Sequence, residues 1–504
     1  MISSFSLSLK LFVAALETLG CAFNPRRCLY AFACISMLTG LHTLRAWGQS
    51  PALVGNPLVP DTVADPSIVC FNQTYYLYAT TDIDKGLSAA GPPVVWKSKD
   101  FLNWSFDGIL IPAVKWGKIR YWAPGKVVLK NGVYYLYVTV VNEKNNARGY
   151  VATADKPEGP FQFVGGPAVF QDDPATGQKA LNPLVPDIDS EPFIDDDGSP
   201  YIFWRKRHAS KLADDMVHLT GPVIDIPTRE AGYSEGPFMF KRKGIYYYVY
   251  TISGRENYKN AYMMSKSSPL GPFYAPQSND IITYSEPDAK IIGPGHGNVF
   301  RFPGTDDFVF VYLEFGQGGT TRQVYADRMV FNDDGTIQPV HLTHRGIGPV
   351  GNAPQPVNLA LSGTATASSM RGAWQRDINV ETDPNNHGPK VKVHLSRTFE
   401  AKNAIDGSNA TCWCADDKDG VPWWQIDLGK LTAVNRVEMA FVEPTLGHSW
   451  ILQKSTDGRI WEPCGEQKDI AIRSPDVVEN IGTTRYLKVT ITSGKPGLWE
   501  FKVF

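Results

Sequence analysis

Cysteine is scarce in this chain, and so is any excess of charge of one sign. Seven cysteines occur in 504 residues, and Cys21, Cys28 and Cys34 lie near the N-terminus. Cys70, Cys412, Cys414 and Cys464 remain, too few for a disulfide scaffold; one bridge, from Cys412 or Cys414 to Cys464, stays open. The Cys-x-Cys has no second His/Cys pair nearby, which argues against a zinc site. Acidic and basic residues nearly cancel, 51 against 49, so no basic field would draw nucleic acid or anionic lipid. Past the N-terminal stretch, no run is apolar enough to span a membrane. Glycine and proline stay below the levels of disordered or collagen-like chains.

The N-terminal stretch, residues 1–48, has the layout of an export leader. Arg26 and Arg27 precede an apolar run from Cys28 to Leu41, and Ala46-Trp47-Gly48 resembles a small-x-small cleavage site. The arginine pair hints at twin-arginine export, and Leu19-Gly20-Cys21 more weakly at a lipoprotein. A secreted or periplasmic protein, or one held at the cell surface, is expected.

What is abundant is aromatic. At 12 % the aromatic content is high, and much of it recurs in one pattern. A turn signal followed by a short aromatic run begins at Asn72, Asn131, Asp197, Lys243 and Thr305. These runs are apolar on both faces, as strands covered on both sides must be. A second pattern follows each run, at Trp96-Lys-Ser-Lys, Val151-Ala-Thr-Ala, Ala209-Ser-Lys, Met264-Ser-Lys-Ser and Tyr325-Ala-Asp-Arg, and reads as the outer strand of a four-stranded blade. A repeat of roughly 45–65 residues without helical periodicity between copies predicts a five-bladed β-propeller over residues 52–350.

The innermost strand should precede each aromatic run. Those strands open with Asp65-Pro66, Trp122-Ala123-Pro124, Asp189-Ser190-Glu191-Pro192, Glu235-Gly236-Pro237 and His296-Gly297. Matched places in a propeller converge at one end of its axis, so acids remote in sequence would meet there. Charged groups are seldom buried without cause. Cleavage of a glycosidic bond needs such a set: one carboxylic acid protonates the leaving oxygen, and an ionised one activates water from the opposite face. A third acid would hold the proton donor protonated by like-charge repulsion.

In these fragments, together with Asp195-Asp196-Asp197-Gly198 and Arg322-Gln323-Val324, the chain resembles glycoside hydrolase family 43. The resemblance implies a five-bladed propeller and inverting hydrolysis of exposed sugars. It implies Asp65 as general base, Glu235 as general acid and Asp189 as the acid that tunes Glu235. Trp122, His296 and Arg322 would contact substrate, with His296 beside a water-ligated calcium. Two departures stand out. Ser190 rather than proline follows Asp189, so Glu191 competes as third carboxylate. Gly125 stands where an acid commonly follows Trp-Ala-Pro, which would open the pocket or change the sugar accepted.

Residues 349–356 are rich in proline and glycine and read as a linker. Beyond them, short alternating strands such as Trp423–Gly429 and Arg485–Ile491 suit an antiparallel sandwich over residues 357–504. Asn358-Leu-Ala-Leu-Ser-Gly-Thr-Ala-Thr, Asn403-Ala-Ile-Asp-Gly, Trp424-Gln-Ile-Asp-Leu-Gly, Ser455-Thr-Asp-Gly and Glu500 resemble the coagulation factor 5/8 C-type domain, a galactose-binding-like jelly roll. That resemblance implies a structural calcium near Asp406, Thr411 and Glu500 and a carbohydrate-binding module. Residues 370–400 read as an insertion rich in charge and histidine.

The chain is therefore expected to be all-β, a propeller followed by a β-sandwich. The expected activity is exo-hydrolysis of plant-type polysaccharide or oligosaccharide side chains, of the α-L-arabinofuranosidase or β-xylosidase kind. No cofactor is required for the chemistry, and a monomer is expected. Galactan-cleaving exo-β-galactosidase and endo-arabinanase are rivals within the family, and a non-catalytic sugar-binding protein is the rival from another class.

Overall fold

The computed structural model describes residues 55–82, 90–111, 120–141, 144–165, 183–315, 322–347, 350, 355–383 and 389–504. The leader, much of the predicted linker and most of the loop between Asp82 and Pro93 lie outside the described residues.

Five antiparallel sheets follow one another from Val63 to Met329, and each is one blade. Their innermost strands are Val63–Phe71, Arg120–Trp122 with Val128–Lys130, Glu191–Ile194, Ser234–Arg242 and Gly295–Arg301. The aromatic runs form the second strand of each blade. Three of them start at turns with paired left-handed residues, Asn72-Gln73, Asn131-Gly132 and Lys243-Gly244, whose twist suits a tight hairpin. Facing runs pack between blades; Tyr247, Val249, Phe310 and Tyr312 share one buried cluster, and Leu77, Val309 and Val311 another. The second sequence pattern marks the third strand rather than the outer one. Four blades add a short edge strand outside it, Trp104–Ile109, Gln162–Phe163, Ile224–Asp225 and Ile281–Thr283. These edge strands carry little of the repeat's aromatic signal, which is why the sequence pattern stops one strand short.

The fifth sheet has three strands, and the start of the described chain lies along it. Leu58 N–H donates to Val324 O at 2.8 Å, and Asn56 bonds Ala326 in both directions, Nδ2 to O at 3.0 Å and N–H to Oδ1 at 2.8 Å. Asn56 is 3 % exposed, so its amide substitutes for backbone pairing and fastens the first segment to the last blade.

The C-terminal part is the β-sandwich expected. Its largest sheet is threaded by the long bent strand Trp423–Phe441, and Trp413, Trp424, Leu487 and Phe501 sit in its core. The charged insertion forms a separate hairpin, Trp374–Glu381 paired with Lys390–Arg397. Residues Leu53–Phe504 make one compact unit. Sandwich and propeller dock through Asn409 Nδ2 to Pro57 O at 2.9 Å, Gln323 Nε2 to Asn409 O at 2.8 Å and Phe106 N–H to Ser474 O at 2.7 Å. The bridge left open to Cys464 does not form: Cys70, Cys412, Cys414 and Cys464 are all free. Cys412 and Cys414 face each other at 3.8 Å, and Cys464 bonds Leu452 O instead.

The Asn56 amide predicts that Asn56→Ala lowers unfolding stability by roughly 1–3 kcal/mol, since buried backbone groups of the last blade lose their partner. Denaturant melts of the intact protein measure this; an unchanged midpoint would remove the fastening role.

Candidate active site

One backbone feature recurs at the axial end of every blade. Asp65, Ala123, Asp189, Gly236 and His296 all take left-handed conformations, with φ of 52°, 40°, 63°, 51° and 45°. In blades one, four and five the ladder shifts register there, between Ala64 and Ser67, Glu235 and Phe238, and Gly295 and Asn298. Each kink turns its inner strand toward the axis. In blade three the kink falls on Asp189, and Glu191 lies two residues beyond it, within the strand.

The equivalence corrects the sequence alignment by one step. Glu235 and Trp122 precede the kink, as Ala64 and Gly295 do, and are paired across the blade with Thr251 and Thr139. Asp65, Asp189 and His296 occupy the kink itself. Gly236 is required at blade four: a Cβ there would lie 3.0 Å from the His296 ring.

Threonines tie one blade's kink to the next. Ala123 N–H donates to Thr80 Oγ1 at 2.7 Å, Asp189 N–H to Thr139 Oγ1 at 3.1 Å, and His296 N–H to Thr251 Oγ1 at 2.8 Å. Blade three has no such threonine, and there Gly236 N–H donates to Asp189 Oδ2 at 3.0 Å. Thr80 Oγ1 passes its own proton to Asp65 Oδ2 at 2.8 Å. The sequence held a signal for this: Thr80, Thr139 and Thr251 stand at the same offset from the turn residues Asn72, Asn131 and Lys243.

The three carboxyls are all buried, yet their charge states diverge. Burial alone would raise Asp65, but the Arg322 guanidinium, then His296 and Thr80, outweigh it and hold Asp65 below the ordinary carboxylate range. Arg322 Nη1 meets Asp65 Oδ1 at 2.9 Å, and His296 Nδ1 lies 3.5 Å from the same oxygen. Arg322 is only 2 % exposed. Its Nε and Nη2 donate to Asp82 at 2.9 Å each, so every guanidinium nitrogen is engaged by a carboxylate. Asp189 goes the other way, pushed up to about 7 by burial, with the Asp65 charge adding to it against the Gly236 N–H. Glu235 is also raised, by burial first and then by Asp189, while hydrogen bonds from Tyr233 and Tyr258 oppose the rise.

The remaining expected residues fall around this group. His296 sits among Asp65, Glu235 and Glu191, each of which feels its charge. Trp122 is half-buried, with the Arg120 guanidinium 5.1 Å from its ring. Glu191 is occupied by Lys126, whose N–H reaches Oε2 at 2.9 Å and whose ammonium lies 3.6 Å from Oε1. Gly125 does not open the pocket by lacking a side chain: a Cβ there would lie 2.3 Å from Ser190 O. Sequence reasoning missed Asp82, Tyr233, Tyr258 and Lys126. None of these carries a distinctive motif.

In the sandwich, Thr411 Oγ1 donates to Asp406 Oδ2 at 2.6 Å, and Ser408 N–H lies 3.0 Å from both Asp406 Oδ1 and Glu500 Oε1. Glu500 Oε2 is buried with no hydrogen-bond partner among the described residues. Burial raises Glu500 well above its ordinary range, and Asp406 adds to the rise. Among the described residues no three His, Cys, Asp or Glu side chains converge on a metal position, at His296 or elsewhere.

Comparison with known proteins agrees with both halves of the fold. Residues 388–501 match the F5/8 type C domain. The Beta-D-galactofuranosidase xynD of Aspergillus niger is 31 % identical over 354 residues, covering 64 % of this chain and 97 % of that protein. The Arabinoxylan arabinofuranohydrolase of Bacillus subtilis is 26 % identical over 417 residues, covering 68 % of this chain and 73 % of its own. A solved structure titled "Glycoside hydrolase" superposes with a TM-score of 0.80 at 42 % identity, covering 90 % of this chain and all of that one. Residues 54–337 match Glycosyl hydrolases family 43; the chain belongs to that family and is a glycosidase.

Proposed function

We propose that this glycosidase cleaves by single displacement, with inversion at the anomeric carbon, and removes furanosyl side chains from plant-type polysaccharides. One observation carries the reading: around a single axial site, the buried Asp65 is held below the ordinary carboxylate range by Arg322 while burial and Asp189 raise Glu235 above it. Asp65, as general base, takes a proton from water as that water attacks the anomeric carbon. Glu235, as general acid, gives its proton to the departing glycosidic oxygen. Burial first, and then Asp189, raise Glu235, and Asp189 is oriented by the Gly236 N–H. Trp122 offers its ring as a sugar platform. Arg322 acts from behind the base, fixing its charge, rather than on the sugar.

The substrate reading rests on chemistry that two relatives share. The Aspergillus niger and Bacillus subtilis proteins are named for galactofuranose and arabinofuranose. α-L-Arabinofuranosides and β-D-galactofuranosides have the same ring configuration and differ only in the exocyclic chain. A site that accepts one ring therefore accepts the other if space allows. The α-L-arabinofuranoside is the primary reading, and the β-D-galactofuranoside is the second. We place the enzyme outside the cytoplasm, on the strength of the leader-like residues 1–48. Carbohydrate binding by the sandwich domain belongs to the same reading.

Calcium fits one of its two expected places. Asp406, Thr411 and Glu500, with nearby carbonyls, offer an all-oxygen donor set, and the orphaned Glu500 Oε2 is the atom a dication would satisfy. At His296 the side chains do not make a direct ligand set, and no catalytic step passes through a cation there.

Three outcomes test this. On a panel of aryl furanosides and pyranosides, furanosides should be turned over fastest, and proton NMR should show the inverted anomer first. Asp65→Ala and Glu235→Ala should each lose about 10²–10⁴-fold in kcat or more, with Glu235→Ala spared on dinitrophenyl leaving groups that need no proton. A retained anomer would exclude single displacement. Asp189→Asn tests the buried acid. A folded-state pKa above the unfolded one stabilises fully below about pH 4, and that stability is lost as pH rises to about 7. The variant should thus melt near the parent at pH 4 and, at pH 8, higher by a few kcal/mol at most. Finally, added calcium should raise the melting temperature and Glu500→Gln should abolish that rise; a rise unaltered in the variant would move the ion elsewhere.

A further inference from the structure

Tyr258 is 6 % exposed and is one of the groups that face Glu235. Its ring fills the space against Gly295, where a Cβ would lie 2.6 Å from Tyr258 Cγ, and it packs with Ala64, Leu313 and Phe315. The two residues flanking Tyr258 are held from outside the propeller, by the hairpin of the sandwich domain. Glu381 N–H donates to Asn257 Oδ1 at 3.0 Å. Glu381 Oε2 pairs with the Lys259 ammonium at 3.2 Å, and Lys259 is 1 % exposed; the same ammonium reaches Asp383 O at 3.2 Å. Lys390 steadies the other oxygen of Glu381 at 3.5 Å. The same hairpin buries Ile378, Val380 and Leu395 against Ile292, on the segment that leads to His296.

We propose that Glu381, a residue of the C-terminal domain, is a positioning residue for the catalytic acid: by clamping Asn257 and Lys259 it fixes Tyr258, and Tyr258 fixes the proton-donating carboxyl of Glu235. The hairpin is thereby part of the enzyme's active-site scaffold. This rests on Glu235 as general acid. The physical basis is direct. An ammonium as enclosed as that of Lys259 loses a carboxylate partner at large cost, and the segment that carries it shifts to find water or another acceptor. A displacement of about 1 Å in a proton donor is enough to cost catalysis even when its cause is remote.

The test compares Glu381→Ala, Glu381→Gln and Glu235→Ala in the full chain, on a series of aryl glycosides of the best sugar with graded leaving groups. Glu381→Ala should lose about tenfold in kcat on phenols of high pKa and under about twofold on dinitrophenol, with KM nearly unchanged. Glu381→Gln, whose amide oxygen still accepts from Lys259, should recover most of the loss, and it also serves if the alanine variant folds poorly. Tyr258 is one of several groups facing Glu235, with Asp189, Tyr233, His296 and Arg205. Because Tyr258 donates to the ionised carboxylate, loosening it should move the alkaline limb of kcat/KM to higher pH. Equal losses on all leaving groups, or a lowered melting temperature with unchanged kinetics, would reduce Glu381 to a structural contact. Absence of leaving-group dependence in Glu235→Ala would instead remove the acid assignment, and the positioning role with it.

Discussion

A single buried guanidinium organises the catalytic end of this protein. Arg322 comes from the last blade, Asp65 and Asp82 from the first, and the three meet where the propeller closes. Four carboxyls, Asp65, Asp82, Asp189 and Glu235, lie within one small volume and are nearly or wholly excluded from water. Burial drives each toward its neutral form. Among the described residues, only the pair gripped by Arg322 has a cation in hydrogen-bond contact; Asp65 is held below the ordinary carboxylate range, while burial keeps Asp82 above it. Asp189 and Glu235 are both raised, by burial first. The lowering of Asp65 thus rests, against burial and with His296 and Thr80 adding to it, on Arg322. A lysine could not take its place, since one point charge cannot meet Asp82 bidentately while also holding Asp65.

Backbone strain delivers those side chains. Four of the five axial residues are not glycine, yet all adopt left-handed φ, at a cost of order 1–2 kcal/mol apiece. Such conformations persist only where surroundings over-determine them. Here the surroundings are the threonines of the preceding blades and the tight packing of neighbouring strands. Because each kink is fastened to the next blade, the ring is a cooperative unit, and an acid in one blade is located by a hydroxyl in another. The kink also explains why Asp65 and Glu235 differ by one position within their blades. A side chain at the kink and one before it leave the strand in different directions, as base and acid on opposite faces of a sugar must.

Much of this was legible in the sequence, and what was not shares one cause. The repeat could be read because two-sided burial forces aromatic and β-branched residues into each second strand. Asp65, Asp189 and Glu235 could be singled out because they open the innermost strands of successive repeats. Asp82, Tyr258 and Lys126 carry no local signal of their own. Their roles arise from contacts between blades, and no local pattern records a partner some 240 residues away, as between Asp82 and Arg322. Gly125 misled for the same reason: its missing side chain is filled by the Ser190 carbonyl of the next blade. The short edge strands escaped because two to six residues are too few to carry a repeat pattern.

The sandwich domain meets the propeller in a way that a tethered module would not require. Apolar contact alone leaves two domains free to slide, whereas directional hydrogen bonds between buried groups set an orientation. Those bonds occur at separate places. Asn409 engages Pro57 and Gln323 beside the seam where first segment and last blade join. Ser474 meets the edge strand of blade one. Glu381 grips Asn257 and Lys259 of blade four, next to the residues that frame the proton donor. Anchors at three separate places resist sliding as well as separation of the sandwich. The Asp406–Thr411 loop contains Asn409, so order in that loop bears on the seam as well as on the sandwich. The propeller's closure and its acid are thus both braced from one side by the second domain, and a change in how that domain docks would reach the chemistry through Tyr258 before it reached the sugar.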